Sequence, residues 1–441
     1  MTAIFGAVFV GLAKIFNVTD PIIAVNFMSV FFSALCVPFF YFSVYKLFDK
    51  KTALISSIIF SIKPSFLAIS VFGNSHSPFL FFMFLGFYFL FSYTDKNKTK
   101  NFFISALFFG LMGAARLQDL VPLLLPILFW VIIKTKEYNQ EQWIKNSSVF
   151  VMILITTILL FYIKLLIHIK PAPSGYIFSD YFVSHIFETI KHTHLDRFPI
   201  MIELFLFSQT LVGLIAVIAG GILLFQKSKK MFLFLMLWAF IPFAIYTCLA
   251  YARPRSFIVP SVALIIMQGY FLANFFKEKK MLNLLAIGLL LVSVSLNFSR
   301  IVPILDFRHK NEMLPDFYRW IGHNTEKNAV ILERDNSAFI RYYGKRTPMR
   351  PPADMFKLEP QKLKTFEKKL NALLDQGIPV YTTESGIIAH APKTVATLKK
   401  FFNQNYDLVY VGKKKFEDWH LGCLVHHIAS NRIFKIKKKA N

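Results

Sequence analysis

The chain has 441 residues, 55% of them hydrophobic and 52 of them phenylalanine, with a mean hydropathy of +0.50. That composition excludes an ordinary soluble domain and points to a polytopic membrane protein. The formal charge of +25 would suit nucleic acid, but its lysines cluster between apolar runs, the pattern of membrane topology, so no nucleic-acid partner is expected.

A hydrocarbon core about 30 Å thick needs roughly 20 apolar residues per helix. Residues 2–16 form an apolar stretch too short to span alone. Spans are expected near 22–45, 52–72, 78–94, 148–168, 203–226, 231–250, 256–276 and 282–299. Between them, 102–134 holds two shorter runs broken at "ARLQD" (115–119). Connections 46–51, 94–100, 134–145, 226–230 and 277–280 carry three lysines each. The connections 73–78, 115–119, 169–202 and 252–256 carry far fewer. The two sets alternate only if 102–134 is a hairpin of two short spans. The positive-inside rule then puts the lysine-rich connections in the cytoplasm and the others outside. The expected fold is an all-α polytopic membrane domain of about ten transmembrane helices over 1–302, in the cell membrane. A small extracytoplasmic α/β domain is expected over 303–441.

In that second part, 329–335, 378–385 and 406–414 read as strands, and 361–377 and 393–405 as amphipathic helices. The end "KIKKKAN" (435–441) reads as a basic tail. Three cysteines without CxxC spacing argue against a disulfide framework or a structural zinc site, and no metal is expected. The His-x-His of "HTHLD" (192–196) and the histidines of "DWHLGCLVHH" (418–427) lack the partner spacing of a metal cluster.

Polar residues on the outer side are few: Asn74 and His76 in "GNSHSP", Arg116, Gln118 and Asp119 in "ARLQD", Asp180, His185, His192, His194, Asp196 and Arg197 in the long 169–202 connection, and Arg253 with Arg255 in "ARPRS". The fifteen basic residues of the lysine-rich connections are all lysine, whereas the short outer connections use arginine. A guanidinium grips phosphate with two parallel hydrogen bonds, so Arg116, Arg253 and Arg255 suit a lipid phosphate or pyrophosphate. Phospholipid headgroups or helix ends are the alternative partners for each. Lys63, beside Pro64 in the middle of the expected 52–72 span, either lines an internal cavity or snorkels to an interface.

The order of features resembles the GT-C superfamily of polytopic glycosyltransferases, in particular its protein O-mannosyltransferase and aminoarabinose-transferase branch. The resemblance is one of layout. It rests on 1–18, on the run of spans and short loops over 46–91, on "FFGLMGAARLQDLVPLLLPILF" (108–129), on "RPRSFIVPSVALI" (253–265) and on 317–346. The oligosaccharyltransferase branch is disfavoured by the lack of a "WWD" signature. The resemblance implies inverting transfer of a sugar from a polyprenyl-phosphate donor to a protein, lipid or glycan acceptor on the outer face, without a cofactor. It implies donor-phosphate binding by Arg116, Arg253 and Arg255 and a cavity lined by Lys63, Asn74 and His76. The family's catalytic acid sits in a first outer loop, which would precede Met1. Asp119 and Asp180 are the weak substitutes for that base within the chain. A non-enzymatic or degenerate membrane protein handling lipid-linked glycans is the competing reading.

Overall fold

The computed structural model describes residues 2–18, 20–70, 73–93, 99–135, 140–167, 202, 205, 209–248, 257–275, 280–310, 313–333, 337–352, 360–383, 392–414 and 432–439. The fold parts into two compact units between Leu305 and Asp306.

The first unit is helical. α1 (Thr2–Ile15) is followed by α2 (Pro21–Leu47), which opens on Pro21 and is capped by Asp20, whose carboxylate accepts from the Ile22 amide at 2.8 Å. α3 (Lys50–Ser61) and α4 (Pro64–Ser70) follow, then α5 (His76–Ser92), α6 (Thr99–Ala115), α7 (Leu117–Thr135) and α8 (Gln140–Ile167). Next come α9 (Leu211–Lys227), α10 (Lys229–Cys248), α11 (Ile258–Phe275) and α12 (Lys280–Lys310). By length and hydropathy four described helices can cross a membrane, or five when α3 and α4 count as one bent span; six more are apolar but shorter.

The expected 52–72 span is therefore corrected. It is two helices meeting at 63° around Ile62 and Lys63. Pro64 has no amide hydrogen to donate and its ring crowds the preceding turn, which breaks the ladder at that point.

Side-chain contacts fix the helix directions. Phe87 packs on Phe109 and Tyr93 on Phe102, so α5 and α6 are antiparallel. Arg116 reaches Ser75 at one end, and Phe91 meets Trp130 at 5.0 Å at the other, so α5 and α7 run the same way. Hence 102–134 is the hairpin that the lysine alternation requires. Phe234 near the start of α10 joins Phe91 and Trp130, and Lys227 lies over Tyr270, which also touches Phe48. The described helix ends flanking the lysine-rich connections thus gather at one end of the bundle, and those flanking 73–78 and 115–119 at the other.

Phenylalanine carries much of the internal packing. Phe87 stacks on Trp238 at 4.1 Å and Phe60 lies 4.2 Å from Phe66, contacts of about 0.5–1.5 kcal/mol each beyond burial. Without a hydrophobic drive between helices in lipid, small residues set the close approaches. A Cβ on Gly269 would lie 1.9 Å from Ser56 Oγ, and one on Gly220 2.1 Å from the Met267 carbonyl oxygen. Large apolar side chains that remain exposed, such as Leu160, Leu211 and Leu284, face outward from α8, α9 and α12, as lipid contact demands.

The second unit holds α13 (Met313–His323), β1 (Val330–Leu332), α14 (Ser337–Tyr342), β2 (Thr347–Met349), α15 (Pro360–Asp375), β3 (Val380–Thr383), α16 (Pro392–Asn405), β4 (Tyr406–Lys413) and β5 (Arg432–Lys438). Its five strands are ordered β2-β1-β3-β5-β4, with β1 parallel to β2 and β3, and β5 antiparallel to β3 and β4. Alternate residues feed two cores. Val330, Leu332, Val380 and Ile436 meet Phe366, Leu370, Leu398 and Phe402, while Ile331, Tyr381 and Ile433 meet Phe317, Tyr318, Ile321 and Ile340. The adjacent parallel strands β1 and β3 are buried on both faces, whereas the edge strand β4 is mostly exposed. The basic tail expected from 435 onward is corrected here: Arg432–Lys438 is a strand between β3 and β4, pinned by buried Ile433 and Ile436.

Candidate active site

The site is built where the 73–77 turn meets the break between α6 and α7. The turn is tied to α2 and α4 by polar groups, which satisfy its irregular backbone. Asn26 Oδ1 accepts from the Gly73 amide at 2.8 Å, Ser29 Oγ accepts from the Asn74 amide at 3.1 Å, and Ser33 Oγ donates to Ser77 Oγ at 3.0 Å. Asn74 shapes the turn with its own amide. Its Nδ2 donates to the Ile69 carbonyl at 2.8 Å, and its Oδ1 accepts from the His76 amide at 2.7 Å. This last bond caps the N-terminus of α5 in place of Ser75, whose hydroxyl is turned elsewhere.

Ser75 Oγ instead meets Arg116. The single non-helical residue between α6 and α7, Arg116 donates from Nη1 to Ser75 Oγ at 2.9 Å and from Nε to the Asp119 carboxylate. His76 Nδ1 stands 3.2 Å from Asn74 Oδ1 and 3.5 Å from Arg116 Nη1. Asp119 is 1% exposed and its other oxygen accepts from the Tyr246 hydroxyl at 2.7 Å, near the C-terminus of α10. One buried cluster therefore joins α5, α6, α7 and α10.

The chemistry of the cluster follows from its donors. Both Asp119 oxygens are occupied, one by a guanidinium and one by a phenol, so the carboxylate orients Arg116 and Tyr246 and is badly placed to take a proton from a substrate. Arg116 has its charge matched yet keeps Nη2 without a hydrogen bond among the described residues. The held guanidinium has a spare arm for an anionic oxygen.

Of the residues singled out in sequence, Asn74, His76, Arg116 and Asp119 come together. Lys63 lies apart, at the α3–α4 break, and is 1% exposed, so it does not snorkel. Arg253, Arg255, Asp180, "HTHLD" and "DWHLGCLVHH" lie outside the described residues. Among the described residues no group of three or more His, Cys, Asp or Glu side chains could hold a metal ion. Sequence reasoning missed Tyr246 and Ser75. The signal for Ser75 was its place between Asn74 and His76. Tyr246 is hidden because a tyrosine at the end of a span is ordinary.

Residues 4–162 match the family described as dolichyl-phosphate-mannose-protein mannosyltransferase. Among solved structures, the oligosaccharyltransferase of Archaeoglobus fulgidus matches with a TM-score of 0.58 and 15% identity over 93% of this chain. This chain spans 62% of that protein's length. ArnT from Cupriavidus metallidurans bound to undecaprenyl phosphate matches with a TM-score of 0.54 and 12% identity, over 98% of this chain and 87% of its own. The mycobacterial arabinofuranosyltransferase AftD matches with a TM-score of 0.50 and 12% identity, over 98% of this chain and 36% of its own. No curated protein sequence matches. The chain shares its fold with these glycosyltransferases. The fold likeness does not separate these proteins from one another.

Proposed function

We propose that this protein moves a sugar from a polyprenyl-phosphate-linked donor to an acceptor on the extracytoplasmic side of the cell membrane. The observation that carries the reading is the buried Ser75–Arg116–Asp119–Tyr246 cluster. It stands at the end of the bundle opposite the lysine-rich connections, which the positive-inside rule assigns to the cytoplasm. The GT-C fold supports the reaction class, and the undecaprenyl phosphate bound by ArnT supports the class of donor. Arg116 Nη2 binds the donor phosphate and stabilises charge as the lipid phosphate departs, with Asp119 and Tyr246 holding the guanidinium in register. His76 lies on the wall of the same site. Arg253 and Arg255 add phosphate contacts, and the α/β unit is extracytoplasmic.

The test is transfer of radiolabelled sugar from a polyprenyl-phosphate donor to membrane acceptors by the reconstituted protein. Arg116→Ala should lower transfer about 10²-fold or more, the scale of one lost transition-state donor. Unchanged transfer by Arg116→Ala would reject the site.

A further inference from the structure

The two edges of the sheet in the second unit are unlike. β2, at one edge, has three residues, the short form in which an edge strand is kept from pairing with strangers. β4, at the other edge, has eight residues, more than any other strand of the sheet. It runs about 26 Å at roughly 3.3 Å per residue. β5 takes one side of β4, and among the described residues no strand takes the other. β4 is also where this unit shows apolar side chains to solvent. Val409, Tyr410 and Val411 are 41%, 57% and 39% exposed, and among the described residues of the unit these three are the exposed large hydrophobics. The register shifts between Tyr410 and Gly412, so Val411 is the extra residue of a bulge and has no opposite number on β5. A long apolar edge with open amides and carbonyls is a template for another strand.

The charges along the edge select that strand. Asp407 is exposed at its start, with Lys413 exposed and Lys414 half-buried at its end. Among the described residues none of the three has an ion-pair partner. A parallel copy of β4 would set like charges side by side, which is unfavourable. An antiparallel copy across a two-fold axis exchanges the ends. Asp407 of each copy then lies beside Lys413 and Lys414 of the other, and Val409, Tyr410 and Val411 meet their own counterparts. The edge is complementary to itself.

We propose that a second copy of this chain docks on β4, the two β4 strands pairing antiparallel and joining two five-stranded sheets into one. The pairing involves the second unit alone and needs neither a sugar donor nor the Arg116 cluster.

The experiment is disulfide trapping of the full-length protein in phosphatidylcholine vesicles, with Cys423→Ser removing the cysteine nearest in sequence. Antiparallel strands hold opposed Cα atoms about 4.5–5.5 Å apart, within reach of a disulfide. Tyr410→Cys should give a covalent dimer on oxidation, and Lys368→Cys, exposed on α15, should not. Equal trapping at both positions shows random collision, and no trapping at 410 shows an unpaired edge; either overturns the proposal. Charge reversal tests it without added cysteines, by energy transfer between labelled copies at rising lipid dilution. Asp407→Lys should weaken association about 2- to 30-fold, since symmetry removes two charge pairs at once. Lys413→Asp with Lys414→Asp should weaken it likewise, and the three changes together should restore it. Association unmoved by Asp407→Lys, or not restored by the triple change, overturns the antiparallel pairing. Two further outcomes replace the second copy with another occupant. A maleimide that cannot label Tyr410→Cys in dispersed monomer shows the edge covered by its own chain. A polarity-sensitive label at 410 that shifts to the blue when phosphatidylglycerol is added to the vesicles shows a lipid surface there. Both overturn the proposal.

Discussion

Consider replacing Asp119 by alanine. Arg116 and Asp119 are 12% and 1% exposed as side chains, so neither charge is well hydrated once its partner is gone. Breaking such a buried pair from one side costs about 3–5 kcal/mol, mostly the penalty of the stranded charge. The Tyr246 hydroxyl also loses its acceptor, and hydrogen bonds between helices in membrane proteins add about 0.6 kcal/mol on average. Asp119→Ala should therefore destabilise by about 3–5 kcal/mol, and Arg116→Ala by a similar amount. The double variant strands no charge and should cost less than either single change. Equilibrium unfolding of the three variants in mixed micelles with rising dodecyl sulfate measures this. Single changes below about 1 kcal/mol that simply add in the double variant would refute the buried-pair argument.

Further outcomes are expected elsewhere. Tyr246→Phe keeps the ring and removes one hydrogen bond, so it should cost only about 0.6–1.7 kcal/mol by the same unfolding measurement. Gly269→Leu should abolish the folded species in size-exclusion chromatography, because even its Cβ would lie 1.9 Å from Ser56 Oγ and 2.9 Å from the Ser56 amide nitrogen. In the second unit, burial pushes the Glu326 carboxyl up, but hydrogen bonds from Lys435 at 2.6 Å and Tyr381 at 2.5 Å outweigh it and bring it down to about 2. Its stabilisation is complete above the ordinary glutamate value and lost as pH falls from about 4.5 towards about 2. Glu326 is 45% exposed, so the effect is under about 1 kcal/mol; Glu326→Gln should flatten the thermal-stability profile in that window.

Much of the first unit was legible because its physics is one-dimensional. Apolar run length and lysine placement dictate where helices begin and end, and the hairpin over 102–134 followed from charge alternation alone. The break at Lys63 was written in the following Pro64, but a continuous apolar run concealed it. In the second unit, β1, β3, β4, α15 and α16 carry clear two- or 3.6-residue periods. β5 does not, since Lys435, Lys437 and Lys438 flank its two buried isoleucines, and composition made it look like a tail. For the site, the polar residues of short outer connections stood out singly. What the sequence could not supply was pairing: Asp119 looked like a poor base, and only the structure brings it to Arg116 and to Tyr246, 127 residues away in the chain.

The central claim is that lipid phosphate is handled at the end of the bundle where 73–77 and Arg116 meet. The most direct measurement is photocrosslinking of the reconstituted protein with a polyprenyl phosphate carrying a photoreactive group next to the phosphate, followed by peptide mapping. The account predicts labelled peptides from 60–78 and 112–120, with labelling suppressed by undecaprenyl phosphate and not by undecaprenol. Labelling confined to peptides bordering the lysine-rich connections, or unaffected by undecaprenyl phosphate, would contradict it.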